Sequence, residues 1–110
     1  MTAHITGLLG EWRAEHHLKR LGMRVLARRY ATPHGEIDLI LRHGDVLVFV
    51  EVKYRPAGRM GDGAMAVDRK KKMHLRFAAR HYLQGHPAES FRFDVVEITA
   101  AGIRHIPNAL

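Results

Sequence analysis

Apolar residues recur every three to four positions near the start of the chain. They are Ile5, Leu8, Leu9, Trp12, Ala14, Leu18 and Leu21. This spacing is typical of an amphipathic helix with one face on a core, and the glycine that follows, Gly22, is suited to ending a helix. The pattern therefore predicts a first helix over residues 5–21.

Three segments rich in aliphatic, β-branched and aromatic residues come next, over residues 23–30, 36–42 and 46–54. Turn-forming residues bound them, in particular Pro33 and Gly35 after the first segment and Gly44 and Asp45 after the second. Short apolar segments between such turns are typical of strands. We therefore expect three consecutive strands.

The second half of the chain predicts a loop, a second helix and two further strands. Residues 56–62 contain glycines and a proline and predict a loop, and the apolar stripe after it predicts a helix that ends before Gly85 and Pro87. Residues 91–99 and 103–106 have strand composition. The order αβββαβ(β), with a right-handed crossover between the third and fourth strands, predicts an α/β fold whose mixed sheet is flanked by helices.

The composition indicates one globular domain over residues 1–110, with a basic surface. Hydrophobic residues make up 46% of the chain, and 18 Lys and Arg against 11 Asp and Glu give a net charge of +7. This charge favours polyanionic partners such as nucleic acids. The absence of cysteine excludes disulfides and a thiolate nucleophile. No apolar run approaches the roughly 20 residues that span a bilayer, and no export signal is visible, so we expect a cytoplasmic protein without a membrane partner.

Charged residues enter the third predicted strand where burial would make them costly. Its apolar run continues into Glu51 and, two residues later, Lys53. A two-residue turn before this strand would place Asp38 opposite Glu51 and Glu36 opposite Lys53. Opposed carboxylates repel each other, and a bound Mg2+ ion would remove the repulsion. The structural alternative is a salt-bridged group with Lys53 and Arg42.

Alternation of side chains along a strand predicts which residues share a face. On the second strand it groups Glu36, Asp38 and Ile40 on one face, with Ile37 and Leu39 on the other.

A third acid, Glu11, falls on the apolar face of the first helix. An ionised carboxylate in an apolar setting is costly unless it is paired or binds a metal. Glu11 therefore faces the hairpin acids, lies at the solvent margin of the face, or pairs with an arginine.

The remaining candidates for chemistry have simpler interpretations. The nine histidines show no metal-ligand spacing. We expect the larger aromatic residues to lie in the core rather than to stack on bases: Trp12, Phe77, Tyr82, Phe91 and Phe93.

Five short motifs carry a resemblance to a known family. They are Gly10-Glu11-x-x-Ala14, Gly35-Glu36-Ile37-Asp38-Leu39-Ile40, Phe49-Val50-Glu51-Val52-Lys53-x-Arg55, Ala66-Val67-Asp68-x-x-Lys71 and Arg92-Phe93-Asp94-Val95-Val96. Together they resemble the YraN family of small bacterial proteins, whose fold is similar to that of Holliday junction resolvases. The second and third motifs also resemble the PD-(D/E)xK nuclease core, with Ile37 where the nuclease signature has proline. The resemblance covers nearly the whole chain.

The resemblance implies a restriction-endonuclease-like fold with a metal-dependent catalytic site. In such a site Glu11, Asp38 and Glu51 would bind one or two Mg2+ ions, for which Mn2+ can substitute. The backbone carbonyl of Val52 would complete the ligand set, and Lys53 would assist the attacking water.

In the same interpretation, cations in the loop after the third strand and at the start of the second helix would contact DNA. They are Arg55, Arg59, Arg69, Lys70, Lys71 and Lys72. A run of charge on a helix is also typical of a solvated face.

The expected function is therefore Mg2+-dependent hydrolysis of phosphodiester bonds in DNA, by an endonuclease for structured or branched substrates. One alternative is a non-catalytic nucleic-acid-binding module of the same fold. Another is an adaptor whose basic helix binds an acidic protein. Because junction resolvases act as two-fold dimers, the resemblance also makes a homodimer a candidate assembly.

Overall fold

Two helices and five strands form the part of the chain that the structure describes. The structure is a computed structural model and describes residues 3–57 and 69–110, with side chains from residue 8 onward. The elements are α1 (Ala3–Arg20), β1 (Arg24–Thr32), β2 (Gly35–His43), β3 (Val46–Tyr54), α2 (Arg69–Gly85), β4 (Ser90–Thr99) and β5 (Gly102–Ile106). Their order confirms the predicted αβββαββ arrangement.

The strands form one mixed sheet in the order β1-β2-β3-β4-β5. The neighbours β1–β2, β2–β3 and β4–β5 are antiparallel, whereas β3 and β4 are parallel. Two parallel neighbours need a crossover connection, and α2 lies in the segment that links them. The predicted mixed α/β fold is confirmed.

The helices cover opposite faces of the sheet, and each makes its own core. On one face α2 packs on β2, β3 and β4 through Leu75, Ala78, Ala79 and Tyr82. On the other face α1 packs through Ala14 and Leu18, against strand residues that include Leu39, Val48 and Val50. Because both faces of β3 are covered, its sequence is a continuous apolar run. Neither described helix has the length and apolar content needed to cross a bilayer.

The aromatic residues do not all lie in the core, and for three of them the prediction is wrong. Tyr82 is buried and Phe93 is partly buried, as expected. Trp12, however, is 64% exposed, and Phe77 and Phe91 are 40% and 48% exposed.

The exposure of Trp12 follows from the narrow face that α1 buries. Gly10, Ala14 and Leu18 are buried at four-residue spacing. Since successive helical residues rotate by about 100°, Trp12 points away from the face that contains Ala14, and Glu11 lies at its margin. The apolar stripe predicted for this helix was therefore too broad.

Candidate functional site

The β2–β3 hairpin has the register predicted from its two-residue turn, as far as Leu39 opposite Val50. Regular pairing ends there, and the next residues along the two strands are Asp38 and Glu51. The Asp38 carboxylate replaces a backbone partner at this point, because its Oδ2 accepts a hydrogen bond of 2.8 Å from the N–H of Val52. Asp38 therefore lies where the two strands separate.

The predicted pairing of Glu36 with Lys53 is not formed, because regular pairing of the strands ends before reaching it. Glu36 is exposed and lies opposite Ala31 of β1. The Nζ of Lys53 instead lies 3.4 Å from Oε1 of Glu51. Lys53 thus neutralises an acid on its own strand rather than one across the hairpin.

Arg29 of β1 has a left-handed backbone conformation, with φ of 50°. This conformation costs a non-glycine residue roughly 1 kcal/mol and interrupts the alternation of side chains. As a result two consecutive arginines reach the same helix: Arg28 pairs with Glu15 of α1, and Arg29 pairs with Glu11.

A matching break occurs on β2 at Asp38, which would lie opposite Arg29. The β1–β2 ladder omits this pair but includes the pairs on both sides of it. Ile37 and Ile40 both pack in the core next to α2, whereas Leu39 packs in the core next to α1. The prediction that Ile37 shares a face with Leu39 is therefore wrong, because strict alternation does not hold across the break.

Glu51 is the most buried of the three candidate acids, with 4% of its surface exposed. Its Oε1 lies 3.4 Å from the Nζ atoms of Lys53 on the same strand and Lys71 on α2. Its Oε2 is buried and has no hydrogen-bond partner within the described residues. Buried polar atoms are nearly always partnered, so this oxygen is a natural position for a ligand.

The pKa of Asp38 is raised from its ordinary value of 3.8 to about 7. Burial is the largest cause, and the negative charge of Glu51 is the next, with a smaller effect from Glu11. The hydrogen bond from Val52 and the charge of Lys71 act in the opposite direction. The Asp38 carboxyl therefore lies in a poorly solvated place, beside the charge of Glu51, where it is costly to ionise.

Glu11 reaches the site because α1 approaches β3 closely at Gly10. A Cβ atom on Gly10 would lie 2.6 Å from the Cβ of Tyr54, so only glycine permits this approach. The Glu11 carboxylate accepts hydrogen bonds of 3.0 and 3.1 Å from Nε and Nη2 of Arg29. Among the alternatives left open by the sequence, Glu11 thus pairs with an arginine while lying close enough to affect Asp38.

As the side chains lie, at most two of the three acids could bind the same divalent cation. Among the described residues, no three Asp, Glu or His side chains are close enough together to hold one ion. Mg2+ commonly binds through one or two carboxylates and retains several waters. Asp38 and the unpartnered oxygen of Glu51 could supply such a donor set, and Glu11 could join them only by leaving Arg29.

The cations predicted to contact DNA differ in how exposed they are and in what they contact. Arg69 and Lys70 are exposed on α2, and Arg55 is exposed after β3. Lys71, in contrast, points at Glu51 and so belongs to the acidic site. Lys72 is partly buried. Arg59 and the rest of the predicted loop from residue 58 onward lie outside the described residues.

Two cations of the site had no clear sequence signal. In a regular strand, consecutive residues such as Arg28 and Arg29 point to opposite faces of the sheet, so only one of them would face α1. The pairing of Arg29 with Glu11 therefore could not be derived from the sequence of β1. Lys71 lies within a run of basic residues, and its neighbours give no reason to single it out.

Asp94 of β4 is part of a closed polar network. Its carboxylate accepts hydrogen bonds from Nε2 of His105 at 2.6 Å, the N–H of Asn108 at 2.9 Å and Nε of Arg92 at 3.0 Å. Burial by itself would raise the pKa of Asp94, but these hydrogen bonds outweigh it and lower the pKa below the ordinary value. Asp94 therefore connects β4 to β5 and to the C-terminal residues.

Comparisons with known proteins show similarity over the part of the chain that contains this site. The model of the family described as Uncharacterised protein family UPF0102 matches residues 10–98. A UPF0102 protein of Shewanella amazonensis is 45% identical over 104 residues, which cover 94% of this chain and 96% of the relative. UPF0102 proteins of Saccharophagus degradans and Serratia proteamaculans are 43% and 40% identical, over 94% and 99% of this chain and 91% and 97% of their own lengths.

Proposed function

The chain belongs to the UPF0102 family, the YraN family that its motifs resemble, and from this premise we propose that it is a divalent-metal-dependent nuclease that hydrolyses DNA. The observation that carries the proposal is the buried Oε2 of Glu51, which has no hydrogen-bond partner in the described part of the chain. Asp38 beside it has a raised pKa. A buried carboxyl with a raised pKa, next to an acid whose second oxygen has no partner among the described residues, fits a cation better than a closed structural ion pair does.

The metal ligands in this proposal come from adjacent positions on two strands. Asp38 and Glu51 would bind the cation together with the backbone carbonyl of Val52, and Glu11 would join after leaving Arg29. A bound Mg2+ ion lowers the pKa of a water and polarises the scissile phosphate. The fold holds the three acids in place, since they lie on β2, β3 and α1.

Two lysines next to Glu51 supply positive charge for the reaction. Lys53 and Lys71 each lie 3.4 Å from its Oε1. Lys53 would orient the attacking water and balance the charge that develops on the phosphate. Lys71 lies on the same helix as the exposed Arg69 and Lys70, so a DNA strand bound along this helix would pass close to the acids.

A cleavage assay tests the proposal. Wild type, Asp38→Asn and Lys53→Ala are compared on labelled single-stranded, duplex, flap and branched DNA with Mg2+ or Mn2+. We expect both variants to lose roughly 100-fold or more in rate, as when a general acid–base or electrostatic group is removed. Asp45→Asn, which changes an exposed carboxylate in the β2–β3 turn, is the matched control and should retain activity. Equal activity in all preparations would indicate a contaminating nuclease and contradict the proposal.

A second candidate function is a non-catalytic nucleic-acid-binding module of the same fold. It is favoured by the ion pairs of the site, in which Arg29 holds Glu11 while Lys53 and Lys71 hold Glu51. In that case binding would depend on salt concentration and no metal would support cleavage.

A further inference from the structure

The outer face of α1 exposes three large apolar side chains next to one another. Leu8 is 40% exposed, Leu9 is 43% exposed and Trp12 is 64% exposed. Contiguous apolar surface of this kind typically marks a place where a partner or ligand binds. The core does not account for these residues, because α1 packs on the sheet through Ala14 and Leu18.

The exposed face borders a pocket that shares Glu11 with the acidic site. This pocket has a volume of about 800 Å³ and is lined by Trp12, by Glu11 and Arg29, and by Leu39. Glu11 is one of the candidate metal ligands, and Leu39 directly follows Asp38 in the chain. A molecule that fills the pocket would therefore lie beside the place proposed for phosphodiester hydrolysis.

The indole of Trp12 has the geometry of a stacking platform. It lies against the imidazole of His16, with ring centroids 5.6 Å apart and planes inclined by 15°. Exposed aromatic rings bind single-stranded nucleic acids because every base offers a flat face for stacking. Arg28 and Arg29 also line the pocket, and each is paired there with an acid of α1. If Glu11 leaves Arg29 to bind the cation, the freed guanidinium group would contact a phosphate that continues from the stacked base.

We propose that this pocket is a subsite for an unpaired nucleobase, which stacks on Trp12 next to the phosphodiester bond to be hydrolysed. The inference rests on the proposed function and adds the substrate class: DNA with an unpaired base at the cleavage position, as in a single strand, a flap or an open junction. In an intact duplex the faces of the bases are covered by their neighbours, so Trp12 could stack on one only after it had been flipped out of the helix.

Binding measurements without metal test the subsite. Trp12 is the only tryptophan, so its fluorescence reports contact directly. In EDTA, an oligothymidylate of about 12 nucleotides should quench this fluorescence and bind more tightly than a duplex of the same length. Trp12→Ala should weaken single-strand binding, measured by fluorescence anisotropy of the labelled oligonucleotide, by roughly 5-fold to 150-fold. It should change duplex binding far less.

The chain offers a matched control on the opposite face of the sheet. Phe77 of α2 is also an exposed aromatic residue that contacts a histidine, with its ring centroid 4.8 Å from that of His34. Phe77→Ala should leave single-strand binding unchanged. Trp12→Phe keeps an aromatic ring and should retain most of the affinity for single-stranded DNA. If Trp12→Ala does not show the wild-type circular dichroism spectrum, Trp12→Phe is the variant to measure in its place.

The results separate the subsite from the nuclease. Equal single-strand affinity in wild type and Trp12→Ala, or an equal loss in Phe77→Ala, would overturn the subsite even if DNA is cleaved. Self-association that Trp12→Ala abolishes, without an effect on DNA binding, would also overturn it and assign the face to a second copy of the chain. Binding that depends on Trp12 without cleavage in any metal would support the subsite and contradict only the nuclease.

Discussion

Replacing Asp38 with asparagine should make the folded protein more stable at neutral and alkaline pH. Burial and the charge of Glu51 raise the pKa of Asp38 from 3.8 to about 7, so ionising this carboxyl opposes folding. Asparagine has nearly the same shape, and its oxygen can accept the hydrogen bond that the N–H of Val52 donates to Asp38. It gives Glu51 a neutral neighbour in place of a negative charge.

The magnitude and its pH dependence follow from the two pKa values. Between about pH 4 and pH 7 the folded protein retains a proton that the unfolded chain has released, so stability falls as pH rises. Each pH unit costs about 1.4 kcal/mol, and the total is at most about 4 kcal/mol. Above the folded pKa the carboxyl is ionised in both states and the loss levels off. The free energy of unfolding of Asp38→Asn, relative to that of wild type, should therefore increase by about 3 kcal/mol as the pH rises from about 5 to about 8.

Urea unfolding followed by circular dichroism, in EDTA at both pH values, measures this difference. Asp45→Asn removes an exposed carboxylate and should show no comparable change. Adding Mg2+ at about pH 8, at ten times its Kd, should stabilise wild type by about 1.4 kcal/mol and have no such effect on Asp38→Asn. A stability difference between Asp38→Asn and wild type that is the same at both pH values would refute the reasoning.

Four further changes test other parts of the structure. Gly10→Ala would place a Cβ atom 2.6 Å from a side-chain carbon of β3 and should lower the free energy of unfolding by about 1–3 kcal/mol in thermal melts. Asp94→Ala should lower the free energy of unfolding in urea by about 3–5 kcal/mol, because it leaves buried hydrogen-bond donors unpaired. Since the pKa of Asp94 is lowered, the difference between this variant and wild type should shrink at acidic pH, where the wild-type carboxyl becomes protonated. Arg29→Ala should tighten Mg2+ binding in calorimetry by releasing Glu11, and a weaker affinity would argue against Glu11 as a ligand. Lys70→Ala should reduce the slope of log K against log salt for duplex DNA by about 0.9, if this lysine contacts one phosphate.

The sequence by itself determined the order of the elements and most of the hairpin register. Both depend on local signals: the spacing of apolar residues distinguishes helix from strand, and the two-residue turn at Gly44 and Asp45 fixes which residues face each other. Because the register follows from the turn, the sequence also brought Asp38 and Glu51 to adjacent positions at the end of the regular pairing.

Only the tertiary structure decided how those acids are neutralised and which side chains remain exposed. The left-handed residue Arg29 changes the faces of β1, and that change allows it to pair with Glu11 of α1. Lys71 reaches Glu51 because α2 packs over the same face of the sheet. Trp12 is exposed because α1 buries only one narrow face. Each outcome depends on how closely distant segments approach one another, and that distance is set by packing rather than by the residues within any one segment.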